Sequence, residues 1–169
     1  SRPNMTITTP VGTVRTWRFN TTTTLLDGTP ISGGPFTSFT VPLHDGPIAI
    51  DCRGGGGGSE ANFWYRGGDG GGIGGFVSIT AGTVLDVFPG TCGVRPTGGV
   101  AGGGLFTGGN ATSPSRGGGG APSVVRNPAG LLIVAGGGGG GADYTLLLPP
   151  TYAGSGGSGH AAGGDDPEG

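Results

Sequence analysis

Leu131–Gly141 reads LLIVAGGGGGG: four large apolar residues and an alanine run straight into six consecutive glycines. The first half has the make-up of a buried strand, short, aliphatic and partly β-branched. The second half has no side chains to bury, so an ordinary core cannot hold it. A weaker copy lies upstream, where PIAIDCR (Pro47–Arg53) runs into Gly54–Gly58. The rest of the chain has to explain a strand that feeds polyglycine, used twice.

Glycine supplies 45 of the 169 residues, against about 7% in average usage. Such a bias usually marks low-complexity disorder, but here the apolar residues are gathered into strand-like runs. Only five glycines precede Cys52 and the other 40 follow it. The composition therefore divides the chain into residues 1–35, an extended arm or hairpin, residues 36–160, a glycine-rich β-domain, and residues 161–169, an acidic tail. Thr6–Thr9 and Val14–Phe19 alternate at period two and favour strands, with Trp17 and Phe19 on one face. Phe36–Val41 and Ile48–Cys52 are expected as antiparallel partners across a turn at Pro42–Pro47. Gly75–Ile79 and Thr83–Phe88 are expected as a second pair, turning at Ala81-Gly82 and stopped by Pro89-Gly90. Ser123–Arg126 and Leu131–Ala135 flank the turn Asn127–Gly130, and Tyr144–Leu148 is a last candidate strand. No helical periodicity occurs. About eight short strands at this spacing imply an all-β sandwich or jelly roll, with Leu131–Ala135 an interior strand.

The glycines come as inserts between these strands. Ordering each costs about 1–2 kcal/mol of backbone entropy, which regular packing must offset. Glycine chains can adopt a threefold extended helix of the polyproline II kind and pack side by side, since only hydrogen sits at the contacts. Hydrogen bonds between chains then satisfy the backbone. There is no strict Gly-X-Y repeat, which rejects collagen. The expected rods are Gly54, Gly55, Gly56, Gly57 and Gly58, and Gly136, Gly137, Gly138, Gly139, Gly140 and Gly141. Gly138 would be packed on all sides and Gly157 would not.

Three blocks in order carry a resemblance: FTSFTVPLHDGPIAIDCRGGGGG (36–58), GGFVSITAGTVLDVFPGTCG (74–93) and GGGGAPSVVRNPAGLLIVAGGGGGG (117–141). The pattern resembles the glycine-rich domain of bacteriophage tail-tip and tail-fibre proteins. It is also similar to the module in the ectodomains of the anaplastic lymphoma kinase and leukocyte tyrosine kinase receptors. The likeness spans residues 36–160; residues 1–35 lie outside it, and Cys52 and Cys92 are not part of the phage pattern. It implies a tumour-necrosis-factor-like sandwich enclosing glycine helices, a virion or extracellular location, and binding or structure in place of catalysis.

The chemistry of the residues points the same way. A phosphate loop needs lysine, and all eight basic residues are arginine. Gly-x-Ser-x-Gly is absent, and Gly-x-Gly-x-x-Gly is uninformative in polyglycine. His44 and His160 have no metal-ligand spacing to cysteine; His44-Asp45 reads as a turn pair, and Asp165, Asp166 and Glu168 as a solvated terminus. No metal and no cofactor are expected. Cys52 and Cys92 leave two readings open, a bridge worth about 3–4 kcal/mol or two unpaired thiols. Phe63, Trp64, Tyr65 and Arg66 are the candidate binding residues, because aromatics beside arginine form hot spots and stack on sugars; the competing reading is a cap over the sandwich or the glycines. A net charge of −2 without charge runs excludes a nucleic-acid footprint, and no apolar run reaches the ~20 residues of a membrane span.

The expected function is that of a non-enzymatic virion module, a tail tip or fibre component acting in attachment or assembly. The Gly, Ala, Pro and Arg bias is what GC-rich coding gives, which fits a phage of a GC-rich host. Its expected partners are other virion proteins, further copies of itself, and a host surface glycan or protein. Alternatives are a secreted or receptor-type module, for which Asn4, Asn20 and Asn110 head glycosylation triplets, a capsid decoration protein, and an ice-binding protein.

Overall fold

The computed structural model describes residues 5–11, 13–19, 24–26, 29–31, 37–60, 66–102, 104–128 and 130–141. Twelve strands follow in chain order: β1 (Met5–Val11), β2 (Thr13–Phe19), β3 (Thr24–Leu26), β4 (Thr29–Ile31), β5 (Thr37–Thr40) and β6 (Ile48–Arg53), then β7 (Gly72–Val77), β8 (Val84–Phe88), β9 (Val100–Ala101), β10 (Phe106–Thr107), β11 (Ser123–Arg126) and β12 (Leu132–Ala135). The described residues are all-β, as expected, with no helix. Two four-stranded antiparallel sheets, ordered β2-β1-β6-β7 and β12-β11-β8-β5, carry the fold. The pairs β3-β4 and β9-β10 form two small ribbons.

Both large sheets turn their apolar side chains to one core. Ile7, Phe19, Ile48, Ile50 and Cys52 enter it from the first sheet, and Phe39, Leu85, Val87, Val125 and Ala135 from the second. Alternation does the sorting. Along β6, Ile48, Ile50 and Cys52 are buried while Asp51 and Arg53 are exposed. Phe19 of β2 meets Phe39 of β5 edge to face, with ring centroids 5.5 Å apart, which ties the sheets along one side. β11 is buried on both faces, because Val124 packs with Phe88, Ala101 and Ala121 in a second, smaller cluster on the far side. Arg126 closes that cluster, its guanidinium 4.9 Å from the Phe88 ring centre.

Strand partners depart from the sequence expectations in two places. Phe36–Val41 and Ile48–Cys52 do not pair: β5 pairs with β8, and β6 pairs with β1 and β7. Gly75–Ile79 and Thr83–Phe88 do not pair either, since β7 and β8 belong to opposite sheets. Both turns therefore cross from one layer to the other. The crossing is tied by Val41 and Thr83, whose backbone groups bond at 2.8 Å. His44 adds to it, its ring nitrogens lying 2.8 Å from the Gly46 carbonyl oxygen and 2.6 Å from that of Ile79.

The hairpin β1-β2 within the first 35 residues is docked on β6, with Ile7 opposite Ile50. β11 and β12 do form the expected hairpin. Its turn is held by Asn127, whose Oδ1 accepts the Leu131 N–H at 3.1 Å, and by Gly130 at a φ of 112°. β12 is an edge strand, however, and not an interior one. Leu132 and Val134 point outward, 65% and 46% exposed, while Ala135 is buried and Ile133 packs on the core. The candidate strand Tyr144–Leu148 and the tail at 161–169 lie outside the described residues.

Candidate functional site

The glycine segments leave and re-enter the sheets at one end. β6 continues into 54–60, β8 into 89–94 and β12 into 136–141, while 66–71 leads into β7 and 117–122 into β11. Residues 97–101 and 107–111 complete the set. Ser123 joins three of these junctions. Its buried Oγ donates to the Arg53 carbonyl at 2.6 Å and accepts the Gly90 N–H at 2.9 Å.

Beyond the sheets the segments bond to one another with a three-residue repeat. Gly54 and Gly57 donate to Gly71 and Gly68; Gly55 and Gly58 donate to Ala121 and Gly118; the Gly56 carbonyl accepts from Gly93. Three successive residues thus face three different neighbours, and the fourth returns to the first. Segment 117–121 repeats this. Gly117 and Gly120 donate to Gly141 and Gly138, Gly118 and Ala121 to Val94 and Thr91, and Gly119 to Gly109. A strand would alternate between two sides, and an α-helix would bond within itself.

The same repeat governs space. A Cβ at Gly54 or Gly57 would fall on the carbonyl of Gly136 or Gly139, and one at Gly117 or Gly120 on that of Gly58 or Gly55. Gly137 and Gly140 are closed by Gly120 and Gly117, and Gly138 by Gly68. Gly157, its expected contrast, lies outside the described residues. By contrast, a Cβ at Gly56 would stand 3.5 Å from the nearest atom, and one at Gly109 would meet nothing within 4 Å. None of these glycines has a left-handed φ. Among the described residues, the glycines that do, Gly46, Gly82, Gly102, Gly104 and Gly130, lie elsewhere. Glycine is required in the network for room, not for backbone freedom.

Several exposed side chains of the network follow the same spacing. Arg53, Gly56 and Ser59 are three apart, as are Arg66 and Asp69, and Arg53, Arg66 and Asp69 are exposed. Of the four candidate binding residues, Arg66 is therefore exposed at the mouth of segment 66–71. Phe63, Trp64 and Tyr65 lie outside the described residues. Two buried polar residues carry no sequence signal: Ser123, and Glu60, which is 1% exposed at the end of the first glycine run. A lone serine ahead of Val124-Val125 gives no sign that it joins three junctions. Glu60, a single acid at the end of a glycine run, gives none of its burial either.

Cys52 and Cys92 are both free, which corrects the bridge reading. Cys52 faces the core from β6, and Cys92 is exposed in the glycine network. Burial, with a smaller contribution from the charge of Asp51, pushes the Cys52 thiol from 9.0 up to about 12. The unfolded chain ionises this thiol first, so its contribution is fully present below pH 9 and is lost as pH rises towards 12. Stability should fall by up to about 1.4 kcal/mol per pH unit within that window. Cys52→Ala should flatten that slope in alkaline urea titrations, while a thiol reagent at neutral pH labels Cys92 alone in the native protein.

Among the described residues no group of three or more His, Cys, Asp or Glu is placed to hold a metal ion, and no helix is long and apolar enough to cross a membrane. No family model, curated protein or solved structure matches the chain.

Proposed function

We propose that the chain is a non-enzymatic virion module, a phage tail tip or fibre component, acting in attachment or assembly. In this reading a jelly-roll, tumour-necrosis-factor-like sandwich clamps a bundle of polyglycine II-type helices. The observation that carries it is the three-residue repeat of hydrogen bonds between segments. Polyproline II geometry has three residues per turn and no internal hydrogen bonds, so each turn offers one N–H to each of three neighbours. Such a bundle is stiff because its strands are bonded laterally and continue directly into the sheets. It exposes the side chains of Arg53, Arg66 and Asp69, and a stiff protruding surface suits host contact or docking within a particle.

The partners in this reading are other virion proteins or further copies of the chain, together with a host surface glycan or protein. The purified chain, fluorescently labelled, is expected to bind intact cells of a host strain and to compete with particle adsorption. Absence of binding to any host envelope would sink attachment and leave assembly. A glycan on Asn110, seen by intact mass, would instead assign the chain to the secreted receptor-type class. The bundle has its own test: amides of Gly54, Gly55, Gly57, Gly58 and residues 117–121, each of which donates to a neighbouring segment, should exchange as slowly as those of β6 and β11. Exchange at the rate of an open linker would refute it.

A further inference from the structure

The outer face of the first sheet, turned away from the core, loses its bulk at one place. On β7, Gly72 and Gly74 stand opposite Arg53 and Asp51 of β6, and Phe76 stands opposite Ala49. Thr6 of β1 flanks Asp51 on its other side. With hydrogen atoms and one methyl where side chains would stand, this face sinks into an open groove of about 500 Å³. The volume falls within the ~300–1,000 Å³ of small-ligand sites.

The rim carries three kinds of group. Phe76 is 77% exposed, an aromatic ring left in water on a strand whose neighbours Ile73 and Val77 pack on the core. Asp51 leans over the floor, its Oδ1 3.6 Å from the place of a Gly74 Cβ. The stem of Arg53 crosses Gly72 in the same way, with Cγ 4.0 Å from the place of a Cβ. Two residues apart on one strand, the carboxylate and the guanidinium are based about 7 Å apart. Their charges sum to zero, so the groove offers strong acceptors and strong donors without a net charge. With a carboxylate beside the guanidinium, the pair suits neither a phosphate nor a simple cation. It suits a neutral ligand rich in hydroxyls, each both donor and acceptor, while the negative face of an aromatic ring attracts the polarised C–H groups of a sugar.

We infer that this groove binds a neutral saccharide of one or two pyranose units. The first ring stacks on Phe76 above Ala49 and Gly74, with hydroxyls on Asp51 and Thr6. The second lies above Gly72 and reaches Arg53. The inference deepens the attachment reading and takes its biological meaning from it, but its chemistry stands apart.

The full chain, labelled with nitrogen-15, is titrated separately with maltose, cellobiose and diacetylchitobiose, and with a neutral extended heptapeptide. Saturable amide shifts at Asp51 and Gly72–Phe76 are expected with at least one disaccharide. Phe76→Ala should weaken that binding tenfold or more, equivalent to about 1.4 kcal/mol, and Asp51→Asn should weaken it too. Phe76→Trp should retain it. Phe76 is largely exposed, so its variants keep the parent melting curve. No saturable shift with any disaccharide up to about 50 mM, well above a Kd of order 10 mM, overturns the proposal. So does binding indifferent to Phe76→Ala, or a response to the peptide alone, which would make β7 a strand-pairing edge. Disaccharide binding without host-cell binding keeps the groove and removes attachment; the reverse result removes the groove alone.

Discussion

Gly57→Ala should prevent folding or lower the melting temperature by tens of degrees, while Gly56→Ala, one residue earlier, leaves it within a few degrees. The new Cβ at Gly57 lands on the carbonyl of Gly139 and stands 2.9 Å from the Gly140 nitrogen. Both obstacles are backbone, which cannot rotate aside as a side chain would. Relief requires moving residues 54–58 away from 136–141, and those segments share the bonds Gly138 to Gly55 and Gly141 to Gly58. Overpacking costs about 1–3 kcal/mol, and each buried group left unpaired a further ~1–3 kcal/mol. The sum approaches the ~5–15 kcal/mol by which a whole domain is stable. At Gly56 the methyl enters ordinary contact, 3.5 Å from the Gly68 oxygen and 4.0 Å from the Cys92 sulfur. Alanine there also narrows the unfolded ensemble, a gain of about 0.4–1 kcal/mol. Thermal melts of the two variants decide the matter. Equal tolerance would mean that the segments are not packed as described.

A chain shortened to begin at residue 36 should show no cooperative unfolding transition, although the three-block resemblance starts there. Ile7 and Phe19 are 0% and 1% exposed in the main core. Burying an aliphatic or aromatic side chain of this size stabilises by about 1.5–3 kcal/mol, and both would be lost together. β6 would also lose β1, its partner from Ala49 to Cys52, and become an uncovered edge inclined to pair with other chains. The shortened protein should bind a hydrophobic dye at neutral pH and aggregate as its concentration rises. A sharp melt at parent temperature would make the first 35 residues an accessory.

Much of the fold is legible in the sequence, for a simple reason. Period-two alternation reports which residues face a core, as along Ile48–Cys52, while the short aliphatic run Ser123–Arg126 is found by its turn-bounded apolar content and is buried on both faces. Alternation says nothing of which strand lies alongside. Phe36–Val41 and Ile48–Cys52 look like a hairpin because the turn between them is short, yet that turn crosses between layers. Aliphatic content misleads at Leu131–Ala135, where Leu132 and Val134 face solvent on an edge.

The glycine network is legible in kind but not in detail. A glycine carries no side chain to mark inside from outside, so Gly56 and Gly57 are indistinguishable as letters. The available signal lies in the interruptions: Arg66 and Asp69 three apart, and Arg53 and Ser59 six apart, both multiples of the repeat. The groove beside Phe76 escapes a reading of GIGGFV alone. It depends on Asp51 and Arg53 of the neighbouring strand, and only the register brings them together.

The repeat of three also sets how this chain can change in length. Adding one residue within 66–71 would turn all that follows by a third of a revolution and carry Asp69 from solvent towards Gly54 or Gly57. Adding two errs the other way. Adding three restores every facing and only lengthens the run, so insertions and deletions within these segments should be tolerated in steps of three residues. The glycine segments therefore inherit a counting rule of their own, foreign to the sheets they extend, where a shift of two preserves facing.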